Sequence, residues 1–361
     1  MARYSRSLYA ALREHQPEIK LTPAATWSNL PAKDFETLQQ QTGLQTMPWG
    51  RKLTPLSWTF LNAPRIERWL SEPIDLVHLV ALNFPVASRK PIVITVHDIG
   101  PLTHPQYFSI SPPWLNRRSV RYLVRHADEV VCVSQATADE LQRYVQRVHR
   151  EDISDRLHVV YEGVEEQLFQ PMDDGCLESL PGLPEAPFLL TVGAISPRKN
   201  VQGILRALDS LGDRIDQHLV AVGGSGWDMD EIEDLLGRPG LRQRVHLMGY
   251  VSDDQLRALY QRATAYLHPS LFEGFGLTVL EAMASGCPVI TSNVFSLPEI
   301  AGDAALLVDP TDDRQIAEAI EAVCRDENLA ESLKQRGTAQ ARQFTWRSCA
   351  EGISDVYRRL V

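Results

Sequence analysis

Two kinds of stretch alternate along this chain of 361 residues. Short apolar runs at 74–80, 91–96, 129–133, 157–160, 188–192, 218–222, 244–248, 263–267 and 288–291 read as strands. Elsewhere apolar positions recur at helical spacing. Tyr4, Leu8, Ala11 and Leu12 form such a stripe within 1–15. Further helices are expected over 112–126, after Ser134, after Asp253, from Leu277, and at 312–325, 327–339 and 345–360. Residues 16–70, rich in Trp, Pro and Gln, carry no pattern strong enough to assign. Between 165 and 187, Pro, Gly, Asp and Glu crowd together, the composition of a hinge between domains.

The most informative stretch is 269–290. The strand before it runs into a turn carrying Glu273, then Gly274 and Gly276 around Phe275, then a helix that opens near Leu277 and closes at Gly286. Glycine lets a ligand reach the backbone, and the free N–H groups of a helix start favour an anion. Glu281 follows Glu273 with seven residues between, so one carboxylate lies on the loop and the other just inside the helix. Helical rise sets Glu281 roughly 7 Å along the axis from the helix start, about the span from a phosphate to its ribose. The arrangement suits a ligand with a sugar at one end and phosphates in the middle. The same residues also fit an ordinary strand–turn–helix with glutamates on a solvated face.

Other clusters bear on chemistry. His97-Asp98 ends an apolar strand, where α/β sheets place ligands; a buried histidine beside a capping aspartate is the structural alternative. Gly193 ends the strand at 188–192, and Arg198 and Lys199 on the next turn suit a diphosphate whose charge builds as a leaving group departs. Two surface cations before a capped helix is the plainer reading. The Gly223-Gly-Ser-Gly226 cluster lacks dinucleotide-binding spacing. Asp228-Met-Asp230 imitates a metal motif, but at a helix start it offsets the dipole, and no metal is expected. Ser296 and Glu299 have capping-box spacing. Arg117, Arg121 and Arg125 recur every four residues beside Trp114, a face suited either to solvent or to anionic lipid.

Composition narrows the classes. A net charge of −10 argues against general nucleic-acid binding while leaving room for a local basic patch. The length accommodates two domains with substantial cores. Five scattered cysteines without a Cys-x-x-Cys pair argue against a zinc site or disulfide framework and fit a reducing cytoplasm. No signal peptide or bilayer-length apolar run is read.

The 269–290 block, with glutamates, glycines, helix and Gly286-Cys-Pro-Val289 in order, resembles the Glu-seven-Glu signature of retaining glycosyltransferases of family 4. The resemblance is strongest over 190–310 and weakest over 16–70. It implies the GT-B fold: two Rossmann-like, doubly wound parallel-sheet domains facing across a cleft. Residues 1–165 would form the acceptor side and 166–344 the nucleotide-sugar domain, with 345–361 crossing back as a helix. On this resemblance Arg198 and Lys199 stabilise the leaving diphosphate, aided by helix N–H groups after Gly274 and Gly276. Glu281 receives ribose hydroxyls, Glu273 holds the sugar, and His97 contacts it from the opposite domain. Gly193, Phe275 and Leu277 line the substrate, and Tyr250 and Val251 border the base. Arg3-Tyr-Ser-Arg-Ser-Leu8 looks like the family's first helix. The strand and glycine turn that normally precede it are missing here, through a misassigned Met1 or a lost first strand.

The pattern is most similar to mannosyltransferases that build bacterial surface polysaccharides. That implies GDP-mannose as donor, no cofactor, a glycan or lipid-linked acceptor, and a cytoplasmic site of action with peripheral membrane contact through the Arg117, Arg121 and Arg125 face. A non-catalytic partner subunit remains open, as do an epimerase or phosphorylase of the same shape. An NAD dehydrogenase fits least, for want of the glycine spacing.

Overall fold

A computed structural model describes residues 2–26, 32–47, 50–82, 85–108, 113–178, 180–224, 226 and 230–361. Its strands are β1 (Ala24–Ala25), β2 (Gln45–Thr46), β3 (Val77–Leu79), β4 (Ile92–Val96), β5 (Glu129–Cys132), β6 (Leu157–Val159), β7 (Phe188–Val192), β8 (His218–Val222), β9 (Val245–Gly249), β10 (Ala265–His268), β11 (Val289–Ser292) and β12 (Leu306–Val308). The first two form only a short parallel pair. The others build two parallel sheets, ordered β3-β4-β5-β6 and β12-β11-β10-β7-β8-β9.

Every residue of β4, β5, β10 and β11 is buried, as strands with helices on both faces require. Apolar clusters accordingly lie on both sides of each sheet. In the first sheet, Ile92, Ile94 and Val96 pack with Val120 and Leu123, while Val93 and Val131 face the opposite layer. That opposite layer joins the two ends of the chain. Tyr4, Leu8 and Leu12 of the helix Ala2–His15 meet Trp346, Ile353 and Val356 of the helix Trp346–Arg358.

The unassigned region contains the helices Ala32–Thr42 and Gly50–Leu61. Most other elements fall within one to three residues of the positions expected from periodicity. The helix at 112–126 is Pro113–His126, Pro112 lying outside the described residues. Asp228 and Met229 also lie outside them; Asp230 opens the helix Asp230–Leu236, with Glu231 and Glu233 in its first turn.

The second sheet explains where the site forms. Its growth reverses between β7 and β10, which pair through Ala265 with Leu189 and Tyr266 with Leu190. Ligands of open α/β sheets bind at such a switch point, beyond the carboxyl ends of the strands. The turn after β7 carries Arg198 and Lys199, and the turn after β10 carries Glu273. Topology alone therefore brings together residues 74 and 75 positions apart in the chain.

Candidate active site

Glu273 is the centre of the site. Its Oε2 lies 2.6 Å from Arg198 Nη1, and its Oε1 lies 2.7 Å from Lys199 Nζ. Ser270 Oγ donates to Oε1 at 3.1 Å, and His268 Nε2 lies at the same distance from that oxygen. Burial pushes the Glu273 carboxyl up, but Arg198 and Lys199 outweigh it and hold the group well below the ordinary glutamate range. Burial drives Lys199 down against the attraction of Glu273, while the same carboxylate raises Arg198. Burial also lowers His268 to about 4, so its imidazole is neutral at physiological pH. One N–H is then available. Nε2–H donates to Glu273, and Nδ1, 2.9 Å from the Tyr266 hydroxyl, accepts from it.

The backbone fixes the two cations. The 3-10 turn Pro197–Lys199 leads into the helix Val201–Leu211, Leu271 N–H donates to Arg198 C=O, and Arg198 Nη1 also donates to Phe272 C=O. Gly193 follows β7 with φ +132°, and Lys199 Cε lies only 3.1 Å from where a side chain would begin. A larger residue there would press on the lysine stem. Gly276 precedes the helix Leu277–Ala284; its carbonyl accepts from Val279 N–H at 2.9 Å, and the N–H groups of Leu277 and Thr278 precede the first intrahelical acceptor. Phe275 is buried in the core, and Leu277 packs against that core. Tyr250 is 89% exposed with its ring beside Gly224, so it does not pack on the following helix; Val251 is half-buried next to it.

The first half of the chain closes over this group. A side chain on Gly274 would overlap the His97 carbonyl oxygen and press on Asp98 Cβ, so glycine is what allows the two segments to meet. Ser134 Oγ and Thr137 Oγ1 donate to the Gly274 carbonyl at 2.6 and 3.0 Å. Ser134 also caps its own helix, Gln135–His149, by accepting from Thr137 N–H. The His97 ring stands edge-on to Tyr4, with Nδ1 3.0 Å from Glu162 Oε1 and Nε2 3.1 Å from the Val80 carbonyl. His97 therefore borders Gly274 by its backbone, while its ring is held by N-terminal neighbours. Asp98 Oδ1 accepts from Gly100 N–H, capping the next turn, and burial raises its carboxyl.

Glu281 lies 5% exposed inside the helix Leu277–Ala284. It does not face solvent: it pairs with Arg3 from the N-terminal helix, and Tyr260 Oη donates to its Oε2 at 3.4 Å. Arg198, Lys199 and Glu273 thus gather on one side of the junction, with the His97 segment on the other.

The capping-box reading of Ser296 and Glu299 is corrected. Ser296 has helical dihedrals and makes no side-chain cap; its hydroxyl lies 2.9 Å from the carbonyl oxygens of both Glu273 and Phe275, which share its single O–H. Glu299 instead accepts from Gln135 and Ala136 N–H at 2.7 and 3.1 Å. A carboxylate of one domain satisfies the helix start of the other, where the dipole favours it. Sequence spacing could not reveal this, because the partner lies 164 residues away. His268 and Ser270 were also missed. Their only sequence signal is their place at the end of a strand just before Glu273.

The architecture is that of GT-B glycosyltransferases. Over 99% of the chain it superposes on the Anabaena protein HepE in complex with UDP and glucose, covering 96% of that chain with TM-score 0.74 at 19% identity. WaaG, a glycosyltransferase of lipopolysaccharide biosynthesis, matches with TM-score 0.73 at 17% identity, over 98% of this chain and 95% of that one. The model described as "Glycosyltransferase Family 4" matches residues 1–168, and "Glycosyl transferases group 1" matches 180–340. An O-antigen chain mannosyltransferase B of Escherichia coli is 33% identical over 303 residues, 82% of this chain and 78% of that protein. The serotype-specific mannosyltransferase WbdA of Escherichia coli is 30% identical over 74% of this chain, which spans 33% of it. The chain belongs to glycosyltransferase family 4.

Proposed function

We propose that this glycosyltransferase moves mannose from GDP-mannose, with retention at the anomeric carbon, to a glycan or lipid-linked acceptor in surface-polysaccharide synthesis. The observation that carries the reading is the convergence of Arg198 and Lys199 on buried Glu273 beside the first turn of Leu277–Ala284. When a sugar leaves a diphosphate, negative charge grows on the phosphates. Two cations and a row of amide N–H groups already in place stabilise that charge without reorganising. Glu273 then holds sugar hydroxyls, Glu281 receives the ribose, and His97 meets the sugar from the acceptor side. The departing phosphate takes the acceptor proton, so the protein supplies charge stabilisation and alignment and no covalent nucleophile. Among the described residues no group of three or more His, Cys, Asp or Glu side chains is placed to hold a metal ion.

Mannose rests on the similarity to mannosyltransferases. Incubation with GDP-mannose, UDP-glucose and UDP-galactose, followed by proton NMR of the product, tests both donor and stereochemistry. Release of GDP with an α-linked product is expected. Turnover confined to a UDP-sugar overturns the donor, and a β-linked product overturns retention.

Among the described residues no helix is long and apolar enough to cross a membrane. Peripheral contact fits the exposed face of Pro113–His126. Trp114 is 56% exposed there, and Arg118 lies 4.6 Å over the exposed Phe60 ring. Arg117, Arg121 and Arg125 are exposed alongside. Co-sedimentation with anionic vesicles is expected, weakening when Arg121 and Arg125 become glutamate. Equal recovery with neutral vesicles would remove this part of the reading.

A further inference from the structure

Arg3 lies in the first turn of the N-terminal helix, yet its guanidinium is held by carboxylates of the second half of the chain. It donates to Glu281 Oε1 and lies 3.5 Å from Asp253 Oδ1. The two acceptors differ in kind. The Asp253 side chain is 84% exposed, so water screens that pair, whereas Glu281 is almost wholly enclosed. A buried carboxylate stripped of its cation is left uncompensated, a costly state.

The other groups facing Glu281 do not replace that cation. Tyr260 on the helix Asp253–Arg262 offers one long hydrogen bond, and burial holds its phenol protonated. Tyr266 on β10 is likewise a neutral phenol, and Asp253 adds like charge. Lys199 is within electrostatic reach but is bonded to Glu273. Arg3 is therefore the cation bonded to this carboxylate.

We infer that Arg3 is a positioning residue of the donor site, supplied from across the cleft, which holds the Glu281 carboxylate as an oriented anion to receive the ribose hydroxyls of the nucleotide. The inference rests on the ribose role of Glu281 proposed above. Arg3 engages one carboxylate oxygen, and each oxygen accepts more than one hydrogen bond, so capacity for two hydroxyls remains. Burial raises the Glu281 carboxyl and Arg3 opposes that rise. Losing the guanidinium moves the group toward its neutral acid, which accepts less well and donates a proton instead. Tyr4, the next residue, packs on His97, so one helix supports the acceptor side and completes the donor side. Separating the domains would take Arg3 from Glu281, which ties ribose affinity to closure.

The test is calorimetric binding of whichever of GDP and UDP the full-length wild type holds more tightly, from roughly pH 6 to pH 9. In Arg3→Met the affinity is expected to fall on the order of tenfold near neutrality, with the loss shrinking as pH rises and Glu281 regains its charge. Arg3→Lys, which keeps the cation, should stay within about threefold of wild type. An Arg3→Met curve parallel to wild type, or tighter binding, overturns the inference. The matching 2′,3′-dideoxy nucleotide separates the two readings. If wild type prefers the ribonucleotide and Arg3→Met changes nothing, only the role of Arg3 fails. If wild type binds both equally, the ribose role of Glu281 fails and this inference with it.

Discussion

Lys199→Ala is expected to lower kcat by 10² or more at saturating donor, the scale seen when one preorganised donor to a developing charge is removed. The geometry makes the loss specific. Lys199 reaches Glu273 past Gly193, its Cε 3.1 Å from the position a side chain on that glycine would take. Another side chain cannot borrow that path from the same turn, and Arg198 is committed to Glu273 Oε2 and the Phe272 carbonyl. Because phosphate charge rises between bound donor and transition state, the loss should fall mainly on kcat and less on KM. Glu273 keeps Arg198, His268 and Ser270 as partners in the variant, so the fold should survive. A thermal melt near that of wild type combined with near-normal turnover would reject the role assigned to Lys199.

How much of this was legible in the sequence follows from where each interaction is decided. The strands β4, β5, β7, β8 and β10 announce themselves because strands buried on both faces are continuous apolar runs, and the helices between them carry a 3.6-residue stripe. The turn with Glu273, Gly274 and Gly276 was readable because strand, loop and helix start are local features. Contacts across the cleft were not. Arg3 with Glu281, Glu299 with the start of Gln135–His149, and Ser134 with the Gly274 carbonyl each join residues 140 or more positions apart. Such pairs are fixed by how the domains dock, and no periodicity encodes that. Ser296 and Glu299 illustrate the hazard: their spacing satisfies a local rule that the fold then ignores. The 16–70 region failed for the opposite reason. In its helices Ala32–Thr42 and Gly50–Leu61, glutamine, proline and tryptophan blur the stripe.

Glu273→Gln should be the most damaging single change, because it affects both chemistry and stability. The amide is isosteric but neutral, and one of its ends is a donor. Placed among Arg198, Lys199, His268 and Ser270, all of which donate to Glu273, that NH2 must face another donor. Two largely buried cations lose the anion that holds them, a penalty of about 3–5 kcal/mol for a broken buried pair. Turnover should fall by 10² or more, since the cations are no longer held in position for the diphosphate. The pH dependence identifies the cause. The folded-state carboxyl lies well below the unfolded value of 4.5, because Arg198 and Lys199 outweigh burial. Its stabilisation is therefore fully present above pH 4.5 and disappears as pH falls toward the folded-state value. Denaturant melts of wild type and Glu273→Gln should differ most near neutrality and converge on acidification below that point. A difference that is constant across the acid range would mean that the charge of Glu273 does not hold the two cations in place.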